Sequence, residues 1–244
     1  MLLKLLGASL IGIGTSMVIK LKKENGFFDF KSRKGKIIAA IFVIGIISIF
    51  VPSNKGKDID YLSIAAPDNA PWDVELTKTE AKKRNKNSHE SKKTFFKEID
   101  LDKADITLLY NTGNEINIIG SVSGELGNIA VALFDESGQG YDINKKDAKI
   151  MLKYVQRVEK QMSESANYLN HNFDNADFVD YAYDAIEARK GLEKALKVVI
   201  DGGSDYEIDE IIADDFYYYA VDSFSYFITG NAYIELLEAM NADN

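Results

Sequence analysis

Two long runs without a charged residue stand within the first 54 positions, and they constrain what the chain can become more than any other feature. Leu5 to Ile19 carries no charge. With Lys4 and Lys20 reaching outward from its ends, Leu2–Leu21 supplies the ~20 residues a helix needs to cross a hydrocarbon core. Ile37 to Asn54 is the second run, almost purely aliphatic as far as Val51, with Lys36 before it and Pro52, Ser53, Asn54 and Lys55 closing it. A buried core helix has a similar composition. Two such runs in succession, each edged by lysine, read instead as a transmembrane hairpin over residues 1–54.

The first run does not read as a cleaved leader. Gly7-Ala8-Ser9 falls too early for a cleavage site, and Lys20, Lys22 and Lys23 follow where small neutral residues belong. Ala8, Gly12 and Ser16 recur at every fourth position, the pattern that lets two membrane helices approach closely. Between the runs lie Lys20, Lys22, Lys23, Lys31, Arg33, Lys34 and Lys36, and short loops rich in Lys and Arg stay on the cytoplasmic side. The expected topology is therefore multi-pass in the cell membrane, with both termini and everything after the hairpin outside the cytoplasm.

Charge is segregated along the chain. Residues 1–57 carry +8, residues 58–97 carry +1, and residues 98–244 carry −18. A domain of that sign repels phosphate backbones, which argues against nucleic acid as a partner. The absence of cysteine excludes disulfides, thiolate metal sites, a cysteine nucleophile and a lipidated cysteine. Residues 55–98 lack sustained periodicity and hold the turn-rich Ala66-Pro67-Asp68-Asn69-Ala70-Pro71 and a lysine-rich stretch after Lys78. They read as a flexible polar stalk, with the single tryptophan, Trp72, placed either at the lipid headgroups or on the following domain.

Residues 99–244 read as an acidic helical domain. Met151, Val155, Val158, Met162, Ser165 and Leu169 alternate spacings of four and three, a helical seam. Phe178, Ala182, Ala185, Arg189, Leu192, Leu196 and Val199 form a second, interrupted by Arg189 and stopped at Gly202-Gly203. Ala213, Phe216, Ala220, Ser223, Phe227, Gly230, Ile234 and Leu237 form a third, with a break or kink at Gly230. Residues 104–134 carry β-branched side chains and four glycines, which suit a small β-element. They also carry Leu109, Ile116, Ile119, Leu126, Ala130 and Leu133 at helical spacing. A lone hairpin beside three helices is marginal, whereas a fourth helix completes an antiparallel bundle, so the fold class is mainly α with about four helices.

Motifs for catalysis are missing. His89 and His171 have no metal-ligand spacing, and no Gly-x-Ser-x-Gly or phosphate-binding glycine loop is present. A calcium loop starting at Asp135 fails at Asp142 and Lys146. Asp201, Asp205, Glu207 and Asp209 are weak metal candidates, more simply read as an acid-rich helix start. No cofactor is implied. The run Phe216-Tyr217-Tyr218-Tyr219, continued by Tyr226, covers more than one helix face, so Tyr217, Tyr218, Tyr219 and Tyr226 are candidate protein contacts. The expectation is a non-enzymatic membrane-anchored module that binds or blocks another protein. The alternatives are an accessory or sensor subunit docking through its hairpin, and an envelope hydrolase.

Overall fold

The computed structural model describes residues 59–86, 103–133 and 143–242. The expected membrane hairpin, with Ala8, Gly12 and Ser16, lies outside them. So do residues 55–58 and 87–98 of the expected stalk.

The described residues are mainly helical and contain no strand. A single turn, α1 (Tyr61–Ile64), and α2 (78–86) come first. Then follow α3 (Lys103–Leu133), α4 (Lys145–Asn172) and α5 (Asp177–Asp201). The last arm is broken into α6 (Asp205–Ile211), a π-helical segment Ile212–Tyr217, α7 (Tyr218–Ile228) and α8 (Asn231–Ala242). Around the bundle, α3 packs on α4, α4 on α5, α5 on the C-terminal arm, and the arm back on α3. Each neighbour runs opposite to the last, as short connections require.

The helical reading of residues 104–134 holds over the described part, 104–133. All six stripe residues of α3, from Leu109 to Leu133, are buried, and so are Ile106, Tyr110, Val122 and Ile129 on its other sides. Neighbours on several sides explain why this helix is buried on more than one face. By length and composition Asp105–Leu133 could cross a membrane, but 67% of its apolar window is already buried inside the fold. The glycines that suggested strands instead face rings of the C-terminal arm, Gly113 against Tyr233 and Gly127 against Phe224.

The seams of α4 and α5 are buried as read, apart from the half-buried Val199. Asn144 caps α4, its side chain accepting from the amides of Lys146 and Asp147. Gly202 ends α5 in the left-handed region at φ 82°, and the amides of Gly202 and Gly203 both return to the Val198 carbonyl. Arg189 does not interrupt the core. It lies buried and is held there by acids, as described below.

The C-terminal seam is corrected at its start. Ile212 is buried and Ala213 is exposed, the reverse of the expected register. Ile208, Ile212, Phe216 and Ala220 are all buried at spacings of four. An α-helix turns ~100° per residue, so positions four apart drift ~40° at each step. The π segment holds more residues per turn and removes that drift. It presses so close to α5 that a Cβ on Gly191 would overlap the Asp215 carbonyl, and glycine is what permits the approach.

The expected flexible stalk is corrected over residues 59–86. They form a strap packed on α3 and α4, with Ile64, Ala65, Ala66, Trp72, Leu76 and Ala81 in the common core. The Tyr154 hydroxyl donates to the Ile64 carbonyl at 3.0 Å, and Arg157 donates to the Ala65 carbonyl. Trp72 packs on the domain, its ring 5.3 Å from that of Tyr154. Polar composition suggested mobility because the strap is held largely through buried polar groups supplied by distant helices.

Candidate interaction surface

Three polar features mark the described residues, and two of them are structural. The first is Glu125 on α3, buried among apolar neighbours. One carboxylate oxygen accepts the Trp72 indole N–H at 2.8 Å, and the other accepts the amides of Glu75 and Leu76 at 3.0 and 2.8 Å. Burial pushes this carboxyl upward, and the three donors from the strap pull it back. It clasps the strap to the bundle. Sequence reasoning missed it, since a Glu between glycine and leucine gives no hint of its partners.

The second is Arg189 on α5, 2% exposed. Its guanidinium donates to Glu193 at 2.7 Å and pairs with Glu159 of α4 at 3.4 Å. Burial opposes the Glu193 charge, but Lys197, Gln156 and Arg189 outweigh it and hold the carboxyl down to about 2. The group ties α4 to α5.

The third is the outward face of the C-terminal arm. Tyr206, Tyr217, Tyr218 and Val221 are 77%, 43%, 76% and 59% exposed, four large side chains on one arm of the bundle. Asp205, Glu207, Glu210, Asp214 and Asp222 are interleaved with them. Residues 201–244 contain eleven Asp or Glu and no Lys, Arg or His, so the cation bound here, Lys194 to Asp215 at 2.9 Å, comes from α5. A π-face beside carboxylates suits cationic side chains, which the ring quadrupole and the acids attract together.

The four tyrosine candidates divide. Tyr217 and Tyr218 lie on this surface. Tyr219 is half-buried against the core. Tyr226 is structural: its ring stacks on Tyr181 at 4.3 Å and its hydroxyl donates to Glu235 at 2.6 Å. Burial, then Glu235, raises its phenol above the usual range. Glu235 also accepts the amides of Asp177 and Phe178, capping an α5 start that has no side-chain cap of its own. Exposed Tyr206 was not anticipated, because it precedes the aromatic run and matches no seam.

The weak metal candidates are not brought together. Asp201 ends α5, while Asp205, Glu207 and Asp209 belong to the acidic α6, and all four are exposed. Among the described residues no set of three or more His, Asp or Glu is placed to hold an ion. Asp184 sits in a different acidic group: burial, then Asp180, Glu187 and Asp222, raises its carboxyl. The chain matches no family model, no curated protein and no solved structure.

Proposed function

We propose that the chain is a non-enzymatic, membrane-anchored interaction module. Its acidic bundle is presented outside the cytoplasmic membrane, and the tyrosine and carboxylate face of the C-terminal arm binds or blocks a protein. The observation that carries this reading is that face: Tyr206, Tyr217, Tyr218 and Val221 remain exposed while Phe216, Phe224, Phe227 and Tyr233 pack inward. Exposed tyrosines, with an apolar ring and a polar tip, are enriched where proteins meet partners. The two uncharged N-terminal runs and the basic loop between them support the anchoring and the sidedness.

Single cysteines introduced in the cysteine-free chain test it. Asp174→Cys lies at the exposed α4–α5 corner and Tyr218→Cys on the face. With a membrane-impermeant maleimide on intact cells, Asp174→Cys is expected to label fully. Tyr218→Cys is expected to label slowly in cells and quickly in the purified protein. Labelling of Asp174→Cys only after lysis overturns the orientation. Equal rates at position 218 in cells and after purification overturn the contact surface.

A further inference from the structure

The C-terminal face has its electrostatic complement on the same molecule, at the opposite corner. The arm packs on α5 and α3, and α4 packs on those same two helices, so α4 and the arm stand diagonally across the bundle. The solvent side of α4 carries Lys145, Lys146, Lys149, Lys153 and Lys160, all exposed. The lysine stripe spans residues 145–160, about 24 Å at 1.5 Å per residue of α-helix, and the tyrosine face spans the sixteen residues 206–221, of similar length. Both begin at the same end of the bundle, since Lys145 lies beside Gly202 at the α5–α6 corner. Both run in the same direction along it. One copy cannot bring its two surfaces together, because they point away from each other.

We propose that the tyrosine face is covered by the α4 lysine stripe of a second copy of this chain. The inference rests on reading that face as a contact surface, and it names the partner. A sideways displacement, without rotation or rise, sets the stripe of one copy against the face of the next along their whole length. Every copy then keeps the same orientation, which is the condition that anchoring in one membrane imposes. The contact is heterologous and leaves one free stripe and one free face at the ends, so it propagates as a row. Pairing the face with itself would juxtapose carboxylates and is disfavoured. The domain's overall negative charge opposes association only weakly at physiological salt, where charges beyond about 8 Å are screened and close pairs decide.

Cross-linking in native membranes tests this. Differently tagged Lys149→Cys and Tyr218→Cys chains, both altered at exposed positions, are co-expressed and treated with a short bismaleimide. The expected result is a product containing both tags and little homotypic product from either variant alone. A chain carrying both cysteines is expected to give a ladder beyond the dimer, and 1 M NaCl before the reagent is expected to reduce the product severalfold, since the screening length falls to about 3 Å. Efficient Tyr218→Cys homotypic product overturns the heterologous geometry. No product from any combination overturns the second copy as partner. In that case, continued shielding of Tyr218→Cys in cells leaves the interaction reading standing with a different protein. Loss of shielding as well removes both.

Discussion

The strap and the C-terminal arm invert the ordinary relation between composition and burial. Residues 59–86 are polar, turn-rich and lysine-bearing, yet they insert Trp72, Ile64 and Leu76 into the core and hang on one buried carboxylate. The C-terminal arm holds the densest run of aromatics in the chain, yet it leaves Tyr206, Tyr218 and Val221 in water. What separates them is the supply of partners. The strap meets donors and acceptors set by α3 and α4. Among the described residues no helix packs against the outer face of the arm, and nothing in its local sequence could provide one.

The largest test of this contrast is Glu125→Ala. It leaves the buried Trp72 indole and Leu76 amide, and the part-buried Glu75 amide, without their acceptor, at roughly 1–3 kcal/mol for each buried group. A total loss of about 4 kcal/mol is expected, with new proteolytic cleavage among Lys78–Lys86 of the strap. A change under about 1 kcal/mol in denaturant unfolding would show that apolar contacts alone hold the strap. Next comes Phe216→Ala set against Tyr218→Ser. The first empties a buried site and should cost about 3–5 kcal/mol. The second alters an exposed ring and should stay within about 0.5 kcal/mol while weakening the proposed contact.

Gly191→Ala sharpens the account of the arm itself. The added methyl group meets the Asp215 backbone, which cannot rotate away as a side chain would, so about 2 kcal/mol should be lost. Glu235→Ala removes the acceptor for the first α5 amides and should cost about 1–2 kcal/mol. Its signature is faster hydrogen exchange confined to Asp177 and Phe178. The gentlest probe is acid. Glu193 has its carboxyl lowered from 4.5 to about 2, so its contribution is complete above pH 4.5 and is lost as pH falls toward 2. Glu193→Gln should flatten that part of the stability curve, and an unchanged slope would assign the acid loss to other carboxylates.

Much of the bundle was legible in the sequence. The α4 seam from Met151 to Leu169 is buried residue for residue, and Gly202 stops α5 where the glycine pair predicted. The stripe from Leu109 to Leu133 outweighed the β-branched residues and glycines around it. Of the exposed tyrosines, Tyr217 and Tyr218 stand in the aromatic run that marks the arm in the sequence, and Tyr206 stands outside it. Tyr219 and Tyr226, candidates from the same aromatics, pack against the core instead, because a run of aromatics does not say which of its rings a neighbouring helix will claim.

Periodicity therefore determined what is local: that these residues form helices, which stripe of each is apolar, and where glycine halts them. The tertiary structure decided whatever depends on a partner far along the chain. Trp72 and Glu125 are 53 residues apart, and neither has meaning for the fold until α3 brings them to 2.8 Å. Arg189 breaks a seam on paper and completes the core in space, because Glu159 and Glu193 meet it there. The π segment follows the same rule, its register set by contact with α5 at Gly191. An apolar stripe needs only to be turned inward, which its own spacing dictates. A buried charge or a strained turn is tolerable only once specific groups from elsewhere are in place, and a linear sequence does not state which groups those are.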